Sequence, residues 1–216
     1  MRVLVACEYS GIVRDAFAKK GHDAWSCDLL PTETPGNHIQ DDVLKHLEGW
    51  DLMVAHPPCT YLTVSANKWL NDMPARKSGK LVGEARRKAR QEGIDFFMAL
   101  WNAPIAKVAI ENPIGCISSV FRQSNQIVHP NYFGDTVSKA TCLWLRGLKP
   151  LEWRETDELF GRQTLVEPEV YTTASGKKYP KWSMIEAAKI RDLDKRSHFR
   201  SKTFQGIANA MAEQWG

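Results

Sequence analysis

The sequence predicts an α/β fold in which helices cover both faces of a mostly parallel central sheet. Two short apolar runs support this prediction: Asp51 to Ala55, followed by His56-Pro-Pro-Cys59, and Lys107 to Ile110, followed by Glu111-Asn-Pro113. Apolar runs of this length are typical of strands buried on both faces of a parallel sheet. The residue before a proline is pushed out of the helical region, so the chain leaves each strand in an extended conformation.

Polar side chains follow both runs at the point where each strand is predicted to end. In open α/β sheets, ligands bind in the crevice outside the carboxyl ends of the strands. One strand end presents the thiol of Cys59, and the other presents the carboxyl of Glu111 and the amide of Asn112. We therefore expect a nucleophile and a proton donor in the same crevice.

The composition indicates one globular domain. The chain has 216 residues, of which 43% are hydrophobic and 25% are charged, as in ordinary soluble domains. It contains no apolar run of membrane-spanning length, and Met1 begins a strand-like segment and not a signal peptide, so we expect a cytoplasmic protein. Five cysteines without a CxxC pair argue against a disulfide framework and against a metal cluster.

The first elements resemble a nucleotide-binding unit. A strand from Arg2 to Cys7 is followed by the turn Glu8-Tyr-Ser-Gly11 and by a helix that Gly21 closes. Such a unit is a usual place for a nucleotide-like ligand to meet a helix N-terminus, although an ordinary tight turn gives the same pattern. The next strand, from His22, ends at Asp28, whose carboxylate suits the hydroxyls of a ribose.

The middle of the chain contains a candidate lid and the strongest helix prediction. Asp42 could face an adenine amino group or cap a short helix. The irregular span from Thr60 to Gly79 is long enough to cover a strand end. Residues Val82 to Trp101 are predicted to form a helix, and its basic face is more typical of a solvated surface than of a binding site.

The last third is predicted to contain a strand ending near Leu145, a hairpin around Ser175-Gly176 and a final helix from Phe204. Between Lys177 and Lys202 the sequence contains nine lysines and arginines but only three acidic residues, and aromatic residues are interleaved with them. This composition favours a phosphate-backbone surface over a merely solvated one. The basic residues that we select for nucleic-acid binding are Lys177, Lys178, Lys181, Arg196 and Arg200.

Taken together, Pro57-Pro-Cys59 and Glu111-Asn-Pro113 resemble the Pro-Pro-Cys and Glu-Asn-Val motifs of DNA cytosine-5 methyltransferases, and small phage-encoded members most of all. The similarity spans most of the chain in the same order, and it implies a Rossmann-like class I methyltransferase fold that uses S-adenosyl-L-methionine. It implies a catalytic set of Cys59, Glu111, Pro58, Asn112 and Lys139. It implies a cofactor-binding set of Glu8, Tyr9, Ser10, Gly11, Asp28, Leu29, Asp42, Pro57 and Asn209.

The chemistry of that family explains why these residue types are needed. C5 of cytosine is a poor nucleophile, and a thiolate that adds to C6 turns the ring into an enamine able to attack a methyl donor. Cys59 would be this nucleophile, Glu111 would protonate or hydrogen-bond N3, and Asn112 would hold the loop that carries Cys59. A free cysteine is more often a buried small hydrophobe, but the Glu111 motif favours the catalytic interpretation.

The substrate, the transferred group and the catalytic role all remain open. The segment that aligns with the family's Gln-x-Arg-x-Arg strand contains Lys139 and Thr141, so a single cation is retained. Residues 148–200 form a small basic and aromatic insertion in place of a full target-recognition domain. The substrate is therefore duplex DNA, single-stranded DNA or a free cytosine nucleotide. The transferred group could also differ from methyl. A further alternative is that the chain is a non-catalytic nucleic-acid-binding module.

Overall fold

The computed structural model describes residues 1–76, 79–153, 165–183 and 189–216. Seven strands form one sheet in the order β3-β2-β1-β4-β5-β7-β6. The strands are β1 Arg2–Ala6, β2 Asp23–Asp28, β3 His38–Gln40, β4 Leu52–Ala55, β5 Lys107–Pro113, β6 Gln126–Val128 and β7 Thr141–Arg146.

The pairing directions make this a Rossmann-like sheet. Strands β1 to β5 are parallel neighbours, whereas β7 runs antiparallel between β5 and β6. The predicted fold class, a Rossmann-like and mostly parallel central sheet, is confirmed. The carboxyl ends of β1, β2, β4 and β5 consequently meet at one edge, which we call the carboxyl edge.

Helices cover both faces of the sheet, as predicted. Alternate residues of β1 feed two cores: Val3 and Val5 pack on one face, and Leu4 and Ala6 pack on the other. The helices are α1 Ile12–Lys19, α2 Gly83–Trp101, α3 Ile117–Val120, α4 Leu193–Ser201 and α5 Gln205–Trp215. Helices α1 and α5 pack on the first face, and α2 and α3 pack on the second. No helix in the described part of the chain is both long and apolar enough to cross a membrane.

The predicted hairpin is also present, with strands β8 Val170–Thr172 and β9 Lys178–Pro180 joined by a turn in which Gly176 has φ +80°. The predicted insertion at 148–200 lies partly outside the described residues. Several element ends differ from the prediction: β2 begins at Asp23 and not at His22, β5 continues to Pro113, and α5 begins at Gln205 and not at Phe204. Strand β1 ends at Ala6 because Cys7 has a left-handed backbone with φ 58°, and α2 begins at Gly83 because Val82 is still extended.

Candidate active site

The strands bring Cys59 and Glu111 together at the carboxyl edge. Ala55, the last residue of β4, pairs with Ile110 of β5, so Glu111 follows this pair directly and Cys59 lies four residues beyond it. The Cys59 side chain is partly exposed. The Glu111 carboxylate contributes to a raised pKa of the Cys59 thiol, which places the two groups within electrostatic range of each other.

Asn112 ties the two strand ends directly. Its side-chain Nδ2 donates a 3.0 Å hydrogen bond to the Pro57 carbonyl, and both residues are buried. The strand that carries Glu111 therefore holds the loop that carries Cys59, as the family resemblance implies for Asn112. Pro58, between the two, is exposed. It contributes conformational restriction at the turn, since its ring fixes φ.

His56 is a residue of this site that the sequence interpretation missed. Its Nδ1 lies 3.4 Å from Glu111 Oε2 and 3.5 Å from Thr203 Oγ1, and its side chain is 8% exposed. The other ring nitrogen, Nε2, is buried without a hydrogen-bond partner. A histidine directly before Pro57-Pro-Cys59, at a predicted strand end, was the signal available in the sequence.

The surroundings of Cys59 and Glu111 set their ionisation in opposite directions. Burial raises the pKa of Cys59 and the Glu111 charge raises it further, while Lys139 and Arg200 lower it. Burial also raises the pKa of Glu111, but the His56 hydrogen bond and the Lys139 charge outweigh burial, so the net pKa of Glu111 is lowered. In the free protein Cys59 is therefore mostly a thiol at neutral pH, and Glu111 is a carboxylate.

Lys139 lies at this site, as predicted, and Thr141 accompanies it. Lys139 Nζ donates a 3.2 Å hydrogen bond to the Arg200 carbonyl and sits 5.8 Å from the centre of the Phe204 ring. Its charge acts on both Cys59 and Glu111. Thr141, which stands where the family has a second cation, donates a 3.4 Å hydrogen bond to the Lys139 carbonyl and helps to lower the pKa of Glu111.

The first loop is organised by the carboxylate of Glu8. Its Oε1 accepts hydrogen bonds from Val13 N (2.7 Å) and Ser10 Oγ (3.2 Å), and Oε2 accepts one from Arg14 N. Glu8 thus satisfies free N–H groups at the start of α1, and direct contact with a cofactor stays a prediction. Gly11, at φ +78°, is required because a Cβ there would lie 2.2 Å from Thr34 Oγ1.

Helix α4 and the residues after it close over this loop. Tyr9 Oη lies 3.1 Å from Ser201 Oγ, and Glu33 accepts hydrogen bonds from both His198 and Lys202 at 2.6 Å. The remaining cleft has a volume of about 20 Å³. Its lining residues are Glu8, Tyr9, Ser10, His56, Ser201, Lys202 and Thr203. We call the contacts of Glu33 with His198 and Lys202 the latch.

The remaining predicted cofactor residues do not line this cleft. Asp28 ends β2, its Oδ1 accepts a 2.9 Å hydrogen bond from Leu30 N, and burial raises its pKa. The neighbouring Leu29 is 72% exposed, so an apolar surface is available beside the carboxylate. Asp42 accepts a hydrogen bond from Leu44 N and caps a short 3-10 turn, as the alternative interpretation predicted. Asn209 is exposed on α5, where its Oδ1 accepts a hydrogen bond from Gln205.

The basic face of α2 corrects one prediction. We expected a solvated surface, but Arg90 donates to the Tyr61 carbonyl and to Asn67, and Arg87 donates to the Leu70 carbonyl. Arg86 is 3% exposed and donates weakly to the Thr60 carbonyl. Long arginine side chains can satisfy loop carbonyls that no helix or strand reaches. These arginines therefore hold the loop after Cys59 against α2.

The residues selected for nucleic-acid binding fall into two groups. Lys177 and Lys178 are exposed at the hairpin, remote in sequence from the cleft. Arg200 is exposed on α4, with its guanidinium 5.9 Å from the Trp182 ring, and its charge reaches Cys59. Lys181 pairs with Glu169, and Arg196 donates to the Ile190 carbonyl. Among the described residues, no group of three His, Cys, Asp or Glu side chains could hold a metal ion.

No family model matches this chain, and no curated protein matches it. One solved structure to which it is similar is a candidate DNA modification methyltransferase encoded within a prophage (E. coli). The two chains share 13% sequence identity with a TM-score of 0.41. The match covers 78% of this chain and 52% of that chain, so this chain spans about half the length of the solved structure.

Proposed function

We propose that this chain is an S-adenosylmethionine-dependent cytosine C5 methyltransferase that acts on DNA through a covalent bond between Cys59 and C6. The observation that carries the proposal is the juxtaposition of Cys59 and Glu111 at the carboxyl edge, with Asn112 tied to the Pro57 carbonyl between them. A thiol within electrostatic range of a carboxyl, in a partly open crevice, suits addition to a ring whose nitrogen accepts a proton.

The residues would act in a fixed order. Glu111 must gain a proton, because its carboxylate and the N3 lone pair of cytosine are both hydrogen-bond acceptors. Cys59 loses its thiol proton to water, and the thiolate adds to C6 while the proton on Glu111 moves to N3, so that the ring becomes an enamine with an electron-rich C5. After C5 has been alkylated, water takes the proton from C5, departure of the Cys59 thiolate restores the aromatic ring, and N3 returns its proton to Glu111.

The cofactor would be held by the first loop and by the end of β2. S-adenosylmethionine would supply an electrophilic methyl group to C5. The donor set suits it, since Asp28 provides a carboxylate for ribose hydroxyls and Leu29 an exposed apolar surface for an adenine. A cleft of about 20 Å³ is far smaller than the several hundred Å³ that such a ligand fills. Helix α4 would therefore have to move away from Tyr9 for binding.

DNA is the proposed substrate because basic residues border the site. Arg200 lies close enough to Cys59 to affect its pKa, and Lys177 and Lys178 are two further exposed cations on the hairpin. A duplex would have to present a flipped base, since C6 is not accessible inside the stack.

A free cytosine nucleotide is the second candidate, because only a short segment replaces a target-recognition domain. A modified sulfonium cofactor would change the transferred group, and a non-catalytic binding module would have no use for the thiol.

A labelling experiment tests the proposal. The full chain is incubated with methyl-labelled S-adenosylmethionine and, separately, with duplex DNA, single-stranded DNA or dCMP, followed by nucleoside mass analysis. The proposal expects 5-methylcytosine in DNA and none with Cys59→Ala. Cys116→Ala, which changes another partly exposed cysteine, is the matched control and should retain transfer. Product with dCMP alone selects the nucleotide substrate, and a mass shift other than methyl identifies another transferred group.

A further inference from the structure

His56 contacts Glu111 and is absent from the motifs that suggested the reaction. It is 8% exposed and lies between the carboxylate of Glu111 on β5 and the hydroxyl of Thr203 after α4, at 3.4 and 3.5 Å from Nδ1. Its Nε2 is buried and has no partner in the described part of the chain. Hydrogen bonds of this length are typical of a catalytic site before its substrate is bound.

The chemistry of the pair fixes the direction of this hydrogen bond. A carboxylate oxygen can only accept, so Nδ1 must carry the hydrogen that faces Glu111 Oε2. Thr203 can accept from the same hydrogen or leave it to Glu111.

We propose that His56 is a positioning residue that directs the acidic proton of Glu111 to the oxygen facing the base. A carboxylic acid has one protonated oxygen and one acceptor oxygen. As long as the Nδ1–H group donates to Oε2, the closer of its two partners, Oε2 is the acceptor oxygen of the acid and the proton is placed on Oε1. This role rests on the proposed function, in which that proton meets N3 of cytosine.

The other groups around Glu111 cannot make this selection. The Thr141 hydroxyl can donate or accept, so it fits either oxygen in either state. Lys139 acts on Glu111 through its charge, which favours the ionised form and does not distinguish the two oxygens. The other ionisable groups that the described residues place at this site are Cys59, Cys142, Glu8, Tyr9, Arg200 and Lys202. Only the imidazole presents an obligatory donor to one oxygen.

The test compares two variants of similar size, His56→Asn and His56→Leu. The Asn amide can place a donor close to the position of Nδ1, whereas Leu places a methyl group there. Single-turnover methyl transfer is measured with the full chain, at saturating S-adenosylmethionine and a cytosine-containing DNA, between pH 5.5 and 8.5. His56→Leu should lose about 100-fold in rate, and His56→Asn should stay within about tenfold of the wild type. DNA and cofactor affinities should change little in both.

The pH dependence distinguishes positioning from a simple charge effect. The His56 hydrogen bond helps to lower the pKa of Glu111, so its removal raises that pKa and leaves more Glu111 protonated at neutral pH. If the amount of acid were the only variable, His56→Leu would be faster than the wild type at pH 7 and above. The positioning role instead expects a slower reaction across the whole range, because the carboxyl loses the hydrogen bond that orients it, so that its proton is neither confined to Oε1 nor held towards N3.

His22, at the opposite end of the sheet, provides the control, and His22→Asn should transfer at the wild-type rate. Equal losses in the Asn and Leu variants, with unchanged unfolding midpoints, would overturn the role of the donor, and so would unchanged rates in both. If His56→Leu does not fold, His56→Gln replaces it, because its amide lies further out and misses Oε2. A wild-type chain that transfers nothing to any cytosine substrate refutes the proposed function itself, and this role with it.

Discussion

Asn112 donates a 3.0 Å hydrogen bond from Nδ2 to the carbonyl of Pro57, across 55 residues of sequence and between two buried groups. This bond joins the end of β5 to the turn after β4. The separation between the Glu111 carboxyl and the Cys59 thiol is therefore set by one side chain and not by the sheet alone. The Oδ1 atom of Asn112 is buried and has no partner among the described residues, which leaves the amide fixed from one side only.

Replacement of Asn112 by Ala should separate the two halves of the site. The Pro57 carbonyl would lose its donor, at a cost of about 1–3 kcal/mol in unfolding free energy. A shift of about 1 Å in the Cys59 loop would reduce the transfer rate by roughly 100-fold. Denaturant unfolding and single-turnover transfer measure the two effects. Asn102→Ala, an exposed position just after α2, should change neither, and a full-rate Asn112→Ala enzyme would contradict the positioning argument.

The reactivity of Cys59 should depend on its charged neighbours. Burial and the Glu111 carboxylate raise the pKa of Cys59 above its ordinary value of 9.0, so alkylation by iodoacetamide should still increase with pH beyond 9. Glu111→Gln removes one of the groups that raise this pKa, so the midpoint of alkylation should move to lower pH. Lys139→Met removes a charge that lowers it, so the midpoint should move to higher pH.

Peptide mass analysis of the same digest supplies an internal control for the Cys59 measurement. Burial raises the pKa of Cys116, and Arg90 lowers it, without a contribution from Glu111. The alkylation of Cys116 should therefore follow the same pH curve in the wild type and in Glu111→Gln. A Cys59 midpoint that does not respond to Glu111→Gln would mean that the two groups are not neighbours, and the proposed mechanism would fail with it.

The fold and the central pair of this site were accessible from the sequence because each depends on local pattern. Apolar runs that end at Pro57 and at Glu111-Asn-Pro113 predicted two parallel strands, and parallel neighbours align their carboxyl ends. His56 was missed because its partner Glu111 is 55 residues away, and its position directly before Pro57 marks a strand end without indicating that partner. The basic face of α2 was misinterpreted for a related reason, since the loop carbonyls that Arg87 and Arg90 satisfy are visible only in three dimensions.

The hairpin lysines should account for part of the salt dependence of DNA binding. Changing Lys177 and Lys178 to Ala removes two exposed charges at the hairpin. If both contact phosphates, the slope of log affinity against log salt should become shallower by about 0.9 per lysine. Filter retention or fluorescence anisotropy over a salt series measures this slope.

Two lysines on the opposite side of the fold provide the matched control for that series. Lys19 ends α1 and Lys149 follows β7, and both are exposed. The variant with Lys19 and Lys149 changed to Ala has the same net charge as the hairpin variant. Equal slopes for the two variants would show that only net charge matters, and the hairpin would then not be a DNA-contacting surface.

Opening of the latch should control access of the cofactor to its cleft. Glu33 holds His198 and Lys202 on and beside α4, and a cleft of about 20 Å³ remains beneath Tyr9 and Ser201. Because both contacts involve the same carboxylate, Glu33→Gln weakens both and should speed S-adenosylmethionine association by roughly two- to fivefold. Stopped-flow tryptophan fluorescence measures the rate, and hydrogen exchange of residues 193–202 should increase in parallel.

The latch should also respond to acid in a defined direction. Burial raises the pKa of Glu33, but the hydrogen bonds from Lys202 and His198 outweigh it, so the net pKa lies below the ordinary 4.5. The latch therefore contributes fully at neutral pH, and its contribution is lost only as the pH falls through this lowered value. Glu213→Gln removes another exposed pair, with Lys20, far from the cleft, and should leave association unchanged. An association rate for Glu33→Gln that equals the wild-type rate would mean that α4 does not gate the cleft.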